Sequence, residues 1–409
     1  MTEISIDLMG DVHIRREQPT TAFSKVEETI GEADLRICQL ETAMTEKGEL
    51  RPDVQMPNHQ VEPRMVEGFT AGGIDCVTFA GNNNLEFGPV AMFDTVDLLE
   101  DHDIAVVGTG EDLDSAREPV YLSAKGKTVA IVDACSILRA GYAATTERPG
   151  LSPMHVSTYY ESLENVYEQP GTPARTVSVP DENDRRAYLS IVDRANQNAD
   201  FVLACFHWGV HFTYDLAMYQ PDLAYDAIEA GADAVVGTHP HNLQAVDIHE
   251  GKPIFYSLGN FIFDYKDPGA KEGLEKYLQF YGMHLDPEWT AGTYLQPKHT
   301  RDTMIARLYL SDEGVDFELT PVFIGKDSTP APVDETSQRG RRIIDLLQTL
   351  SGEIGTDLVY DDGSISAPMS ESEGDTRLWI RDRTRSYPWL SKLQLAEYGD
   401  NSLSLEEFL

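Results

Sequence analysis

Between Phe201 and Asp264 the chain alternates short apolar runs with polar tips, and the tips carry histidines. No other stretch constrains the fold as strongly. Phe201 to Phe206 has the composition of a buried strand and ends at His207-Trp208-Gly209, with His211 just beyond. Pro221 to Ala230 reads as a helix closed by Gly231. Ala234 to Val236 reads as a second strand that ends at once in Gly237-Thr238-His239-Pro240-His241. Strand, helix, strand with polar residues at the strands' C-terminal ends is how open α/β sheets build sites. Imidazoles at two neighbouring tips point to a metal centre.

The same rhythm runs through the first half of the chain. Ile4 to Met9 is a strand that stops at Gly10-Asp11-Val12-His13; two residues apart, Asp11 and His13 share a face, because strand side chains alternate with period two. Leu35 to Leu40 is a strand followed directly by Glu41, and Asp75 to Ala80 one that ends in Gly81-Asn82-Asn83-Asn84. Helices are expected over Glu27 to Ala33, Met65 to Gly72, Pro89 to Asp101, Asp184 to Asn198 and Thr336 to Leu350. Further strands are expected over Ile104 to Val107 and Val129 to Ile137. Residues 46–63 form a polar loop that can cover a site. Glu250-Gly251-Lys252 and Asp312-Glu313-Gly314 mark two hairpins. Two segments, 140–180 and 265–300, lose the rhythm and read as insertions. An acidic, Ser-rich tail covers 367–409.

Composition narrows the function classes. The formal net charge of −37 in 409 residues describes a solvated acidic surface of the salt-adapted, halophilic kind. A field of that sign excludes nucleic acid as a partner and disfavours anionic membrane surfaces. The four cysteines (Cys38, Cys76, Cys135, Cys205) lie singly in apolar runs, which predicts buried free thiols. No apolar run reaches the roughly 20 residues a membrane span needs, and no signal-peptide pattern opens the chain, so a cytoplasmic protein is expected.

Collected from the strand tips, Asp11, His13, Glu41, Asn82, His207, His239 and His241 offer three oxygen donors and four imidazoles. Mixed N and O ligands with a carboxylate to bridge suit two divalent ions such as Mn, Fe, Zn or Co. Such a pair activates water and neutralises the oxygens of a phosphoryl group.

The motifs GDVH at 10–13, QLE at 39–41, AGNNNLEFG at 80–88, HWG at 207–209, GTHPH at 237–241 and YSLGNFIFD at 256–264 resemble the CapA family of capsule and poly-γ-glutamate synthesis proteins. That family belongs to the calcineurin-like metallophosphoesterase superfamily, and the resemblance covers about residues 4–366, taken with residue 1 onward as one domain, 1–366. It implies a four-layer α/β/β/α sandwich with the metal site at the strands' C-terminal ends. It also implies that Asp11, His13 and His241 bind one ion, that Asn82, His207 and His239 bind the other, and that Glu41 bridges them.

Departures from the family pattern bear on catalysis. Asn83 stands where the family has a histidine, and asparagine donates a hydrogen bond but is no general acid. His211 stands where the family tends to have glutamate; it is either a replacement acid or a surface or substrate-contacting residue. Gln39 replaces an asparagine. Trp208 and Asn260 are candidates for the substrate pocket, with packing the other reading for Trp208 and orientation of a ligand histidine the other for Asn260. Arg15, Arg16 and Arg139 are the candidate cations for an anionic substrate. The function expected is a metal-dependent hydrolase of the phosphoesterase type, acting on a small molecule or an anionic cell-surface polymer. The alternative is a non-catalytic metal-binding accessory that associates peripherally with a membrane polymer synthase. A polymer-binding module would need no metal.

Overall fold

The computed structural model describes residues 3–54, 59–162, 174–264, 275–276, 278–279, 294, 296–361 and 364–367. Two large sheets organise this mixed α/β chain. In the first, β1 (Ile4–His13), β2 (Leu35–Leu40), β3 (Cys76–Thr78) and β4 (Ala105–Val107) lie parallel and side by side. The chain then crosses to the second sheet. There β5 (Val120–Ala124) pairs antiparallel with β6 (Lys127–Cys135), and β6, β7 (Phe201–His207) and β8 (Ala234–Thr238) run parallel. The hairpin of β9 (Val246–His249) and β10 (Lys252–Phe255) joins through β10. Last, β11 (Asn260–Phe263) returns to the C-terminal end of β1, while β12 (Asp302–Ser311) and β13 (Gly314–Ile324) extend the first sheet from its N-terminal half.

Strands buried on both faces read as continuous apolar runs, which is why ISIDLM and FVLACF carry so few polar residues. Period two then divides β7: Leu203 and Cys205 join a core shared with Ile6, Leu8 and Ile37 of the first sheet, while Val202, Ala204 and Phe206 face the other way. Against that outer face, α2 (Glu182–Asn196) and α3 (Tyr219–Glu229) bring Tyr188, Val192, Leu223 and Ile228. On the outside of the first sheet, α1 (Gly88–Glu100) buries Met92 and Leu99 with Val77 and Cys38. Each fully buried aliphatic side chain here contributes about 1.5–3 kcal/mol. The C-terminal helix α4 (Gln338–Gly352) sends Ile343 and Leu347 into the core between the sheets.

Helix boundaries differ from the expected ones for a physical reason. Asp181 accepts from the amides of Asn183 and Asp184, which starts α2 two residues before Asp184. Ser337 accepts from Gly340 N, so α4 begins after Thr336. The short helices Glu27–Ile30 and Val66–Ala71 stop earlier than the sequence pattern predicts. Both hairpins form where expected; Glu250 and Gly251 take positive φ in the first. Segment 140–180 is more regular than its composition suggests, because Val156–Glu161 and Arg175–Pro180 pair antiparallel. Most of 265–300 and the tail beyond Ala367 lie outside the described residues. All four cysteines are buried and free. Among the described residues no helix is long and apolar enough to cross a membrane.

Candidate metal centre

Two close approaches of backbone gather the strand tips. Met9 and Asp11 pair with the consecutive residues Cys38 and Gln39, so Gly10 is the extra residue of a bulge. A Cβ on Gly10 would sit 1.8 Å from the carbonyl oxygen of Gly259, and that carbonyl accepts from Asp11 N at 2.9 Å. Only glycine permits this crossing, and it sets Asp11 beside Asn260, its register partner on β11. The second approach is at Gly237, where a Cβ would meet Tyr256 O at 2.1 Å and Trp208 Nε1 at 2.3 Å. Beyond it, His239 and His241 both hold positive φ (94° and 63°), a conformation that costs a non-glycine residue about 1–3 kcal/mol and recurs at functional sites.

At the meeting point Asp11, Glu41 and His207 are all buried, with ligand atoms within 4.8 Å of one another, a group able to hold a metal ion. His207 Nε2 lies 3.3 Å from Glu41 Oε1, 2.7 Å from Asn82 Oδ1 and 3.1 Å from His239 Nδ1. Asn82 Oδ1 is also 3.2 Å from His239 Nδ1. On the other side His241 Nδ1 lies 3.3 Å from Asp11 Oδ2, which accepts the His239 amide at 3.3 Å. The His13 ring stacks on Phe263 at 5.3 Å, and Phe263 meets His241 edge-on at 5.2 Å.

The electrostatics of this cluster call for positive charge. Burial pushes the Glu41 carboxyl well above the usual carboxylate range, and neighbouring Asp11 adds to the shift. Burial, then the neighbouring imidazoles, holds His207 and His239 well below the usual range; His13 falls to about 3 through burial, then His59 and Arg15. Neutral imidazoles present lone pairs. Asp11 Oδ1 and Glu41 Oε1 are buried with no hydrogen-bond partner among the described residues. Two buried carboxylates with orphaned oxygens facing neutral imidazoles fit a divalent cation.

The remaining expected site residues divide. Asn83 donates to Glu41 Oε2 at 2.7 Å and accepts from Asn82 Nδ2 at 3.1 Å. His211 is half-buried at the edge of the cluster, its ring 4.0 Å from His239 and 5.0 Å from His241. Burial, then those two neighbours, lowers its pKa well below the usual value. Asn260 presents Oδ1 to His241 Nδ1 at 2.8 Å, the orienting geometry. Trp208 is fully buried, stacked on Phe206 at 4.6 Å, with its N–H donated to Tyr256 O at 2.8 Å. Its side chain belongs to the outer core of the second sheet rather than to a pocket. Arg16 is tied to Asp264 by two bonds of 2.7 and 2.8 Å, which withdraws it from substrate.

Some participants were not visible in the sequence. Thr238 Oγ1 lies 3.1 Å from His207 Nδ1, turning Nε2 toward Glu41. His59 Nδ1 lies 3.1 Å from buried Glu86 Oε2, and its ring is 5.7 Å from that of His13. Glu86 falls inside the AGNNNLEFG motif, which is the one sequence signal for it. Asp133, on the second sheet, accepts from Phe79 N at 3.2 Å and Ala80 N at 2.9 Å, just ahead of Asn82.

Residues 5–265 match the family model described as bacterial capsule synthesis protein PGA_cap. The chain belongs to the PGA_cap family. As a PGA_cap protein it is of CapA type, and CapA lies in the metallophosphoesterase-like superfamily. It is similar to PGA biosynthesis protein CapA of Bacillus subtilis (strain 168), at 27% identity over 296 residues, 72% of this chain and 61% of that protein. Capsule biosynthesis protein CapA of Bacillus anthracis is 26% identical over 277 residues, 68% of this chain and 54% of its own. A probable polyglutamine synthesis accessory protein of Mycobacterium tuberculosis is 28% identical over 259 residues, 62% of each chain. This PGA_cap chain thus spans less than two thirds of the length of those relatives. Among solved structures, a hypothetical protein from Thermus thermophilus aligns over 78% of this chain and 99% of its own, at 16% identity and a TM-score of 0.42. That likeness is too distant to assign a site.

Proposed function

We propose that this PGA_cap protein is a dinuclear metal-dependent hydrolase of the phosphoesterase type that acts in the synthesis or handling of poly-γ-glutamate or another anionic cell-surface polymer. The observation that carries the reading is the buried Asp11–Glu41–His207 group, with Asp11 Oδ1 and Glu41 Oε1 left without hydrogen bonds among the described residues. Asp11, His13 and His241 would hold one ion and Asn82, His207 and His239 the other, with Glu41 between them. Bound there, two divalent ions supply Lewis acidity toward water and toward a phosphoryl group. Helices outside two sheets that share one core support a four-layer sandwich as the fold behind the site.

The chain's own residues do the positioning. Thr238 orients His207, Asn260 orients His241, and Asn83 holds one oxygen of Glu41 so that the other is directed at His207. His211, at the rim, is placed to touch a substrate that approaches His239 and His241. One observation favours a second reading, a metal-binding accessory without turnover. The position where the family has histidine holds Asn83, which is engaged with Glu41 and has no acid to offer.

Elemental mass spectrometry on protein purified at high salt, without chelator, tests the metal directly. About two equivalents of Mn, Fe, Zn or Co are expected, with loss of metal in Asp11→Ala. Protein that takes up no transition metal after reloading overturns both readings.

A further inference from the structure

His241 Nδ1 sits between two oxygens, Asn260 Oδ1 at 2.8 Å and Asp11 Oδ2 at 3.3 Å. An amide oxygen only accepts, so this contact requires the proton on Nδ1, provided Asn260 does turn its oxygen rather than its NH2 toward the ring. What fixes that choice lies 34 residues away. Asn260 Nδ2 is 2.9 Å from the hydroxyl of Tyr294. That hydroxyl is 2.7 Å from the backbone carbonyl of Thr300 and 2.6 Å from Thr300 Oγ1. The carbonyl can only accept, and Thr300 Oγ1 donates its own proton to Pro297 O at 2.7 Å. The single proton of Tyr294 therefore goes to Thr300, and its oxygen is left to accept from Asn260. A flipped Asn260 would set two acceptors against the same hydroxyl proton.

We propose that Tyr294 is a positioning residue that locks Asn260 in one amide orientation and thereby His241 in its Nδ1–H tautomer, leaving Nε2 as the lone pair for a cation. Tyr294 is buried and lies outside the residues 5–265 that match the family model. The polar chain from Thr300 through Tyr294 and Asn260 to His241 thus ties a part of the protein beyond the matched region to one side of the centre. The tautomer is a property of the protein alone; its use toward metal rests on the function proposed above.

The test is long-range 1H–15N correlation of the His241 ring in metal-free protein labelled at histidine, assigned with His241→Gln, together with zinc affinity from competition with a chromophoric chelator. Wild-type protein is expected to show only the Nδ1–H form. Tyr294→Phe keeps the ring but removes the acceptor, so the Nε2–H form should appear and zinc affinity should fall roughly 10- to 100-fold, the usual effect of losing a partner behind a ligand. Adding Asn260→Asp to Tyr294→Phe should restore the Nδ1–H form, since a carboxylate accepts through either oxygen; a packing role for Tyr294 gives no such rescue. An Nε2–H His241 in wild-type protein, or a Tyr294→Phe variant with unchanged tautomer, overturns the proposal. A tautomer that shifts as expected in a protein that binds no zinc upholds the lock and overturns the metal reading instead.

Discussion

Asn83 donates its side-chain amide to Glu41 Oε2 at 2.7 Å, so the residue at the family's histidine position is bound to the carboxylate at the centre of the site. This bond accounts for how the chain tolerates the exchange: asparagine steadies the buried glutamate. It offers no proton for a leaving group.

The first prediction follows. A general acid typically contributes 100- to 10,000-fold, so Asn83→His should raise turnover of an activated phosphodiester by on the order of 100-fold. Asn83→Ala should lose about 1–3 kcal/mol of stability, the range for leaving a buried acceptor without its partner, without any gain in rate. Steady-state kinetics and urea unfolding of both variants check this. A histidine variant with no gain would leave the accessory reading ahead.

Asp133 gives a pH signature. Burial raises its carboxyl to about 8, despite the amides of Phe79 and Ala80 that favour the charged form. The unfolded value is near 3.9. Between about pH 4 and pH 8 the folded protein therefore keeps a proton that the unfolded chain has released. Stability contributed at this position is fully present at low pH, falls as pH rises through that window at up to about 1.4 kcal/mol per pH unit, and is level above it. Asp133→Asn still accepts both amides and carries no charge. Unfolding free energies of wild type and variant should diverge steadily from pH 4 to pH 8 in favour of the variant; parallel curves would refute the assignment.

These residues differ in how far the sequence exposed them. Strand tips were legible because a parallel strand is an apolar run, and the first polar residues after it must sit at its C-terminal end; Asp11, Glu41, Asn82, His207 and His239 were found that way. Helix ends were less legible, because one side-chain cap such as Asp181 or Ser337 moves a boundary without altering the apolar pattern. Contacts made by returning loops were legible only in outline: 46–63 reads as a loop that can cover a site, without saying which residue it brings there. His59 reaches Glu86 because its carbonyl accepts from Thr42 Oγ1 at 2.6 Å and Ala43 N at 2.9 Å, and no local pattern encodes that return. At Trp208 the sequence left two readings open, pocket and packing; period two along the strand turns the side chain away from His207 into the outer core, as the packing reading has it.

That placement yields a third prediction. Trp208→Ala should cost about 3–5 kcal/mol through cavity formation and a lost hydrogen bond, and leave metal stoichiometry unchanged. Gly237→Ala should destabilise as well, because the new methyl group would overlap Tyr256 O, a backbone atom, and displace the Trp208 N–H from it. Thermal unfolding and metal content read the two effects separately. A Trp208→Ala protein of normal stability that loses metal would return this residue to the site.

The last prediction sets stability against function at Glu41. Without a cation, Asp11 and Glu41 bury two carboxyl groups near each other, each with an oxygen lacking a hydrogen bond among the described residues. Such an arrangement costs stability, since a buried charge needs a partner. Burial disfavours the charged form of Glu41, and Glu41→Gln keeps the shape while sparing the folded state both that charge and the proton uptake that avoids it. In chelator the variant should therefore unfold at a higher temperature than wild type. Saturating zinc or manganese should reverse the order, because an ion that binds only the folded state stabilises by RT ln(1 + [L]/Kd), about 2.7 kcal/mol at 100 times Kd, and the variant has lost a ligand. Scanning calorimetry of both proteins, with and without the ion, gives four midpoints whose order must cross. If Glu41→Gln is the less stable protein in chelator, Glu41 is a structural residue held by Asn83, and the site does not store the repulsion that a bound cation would relieve.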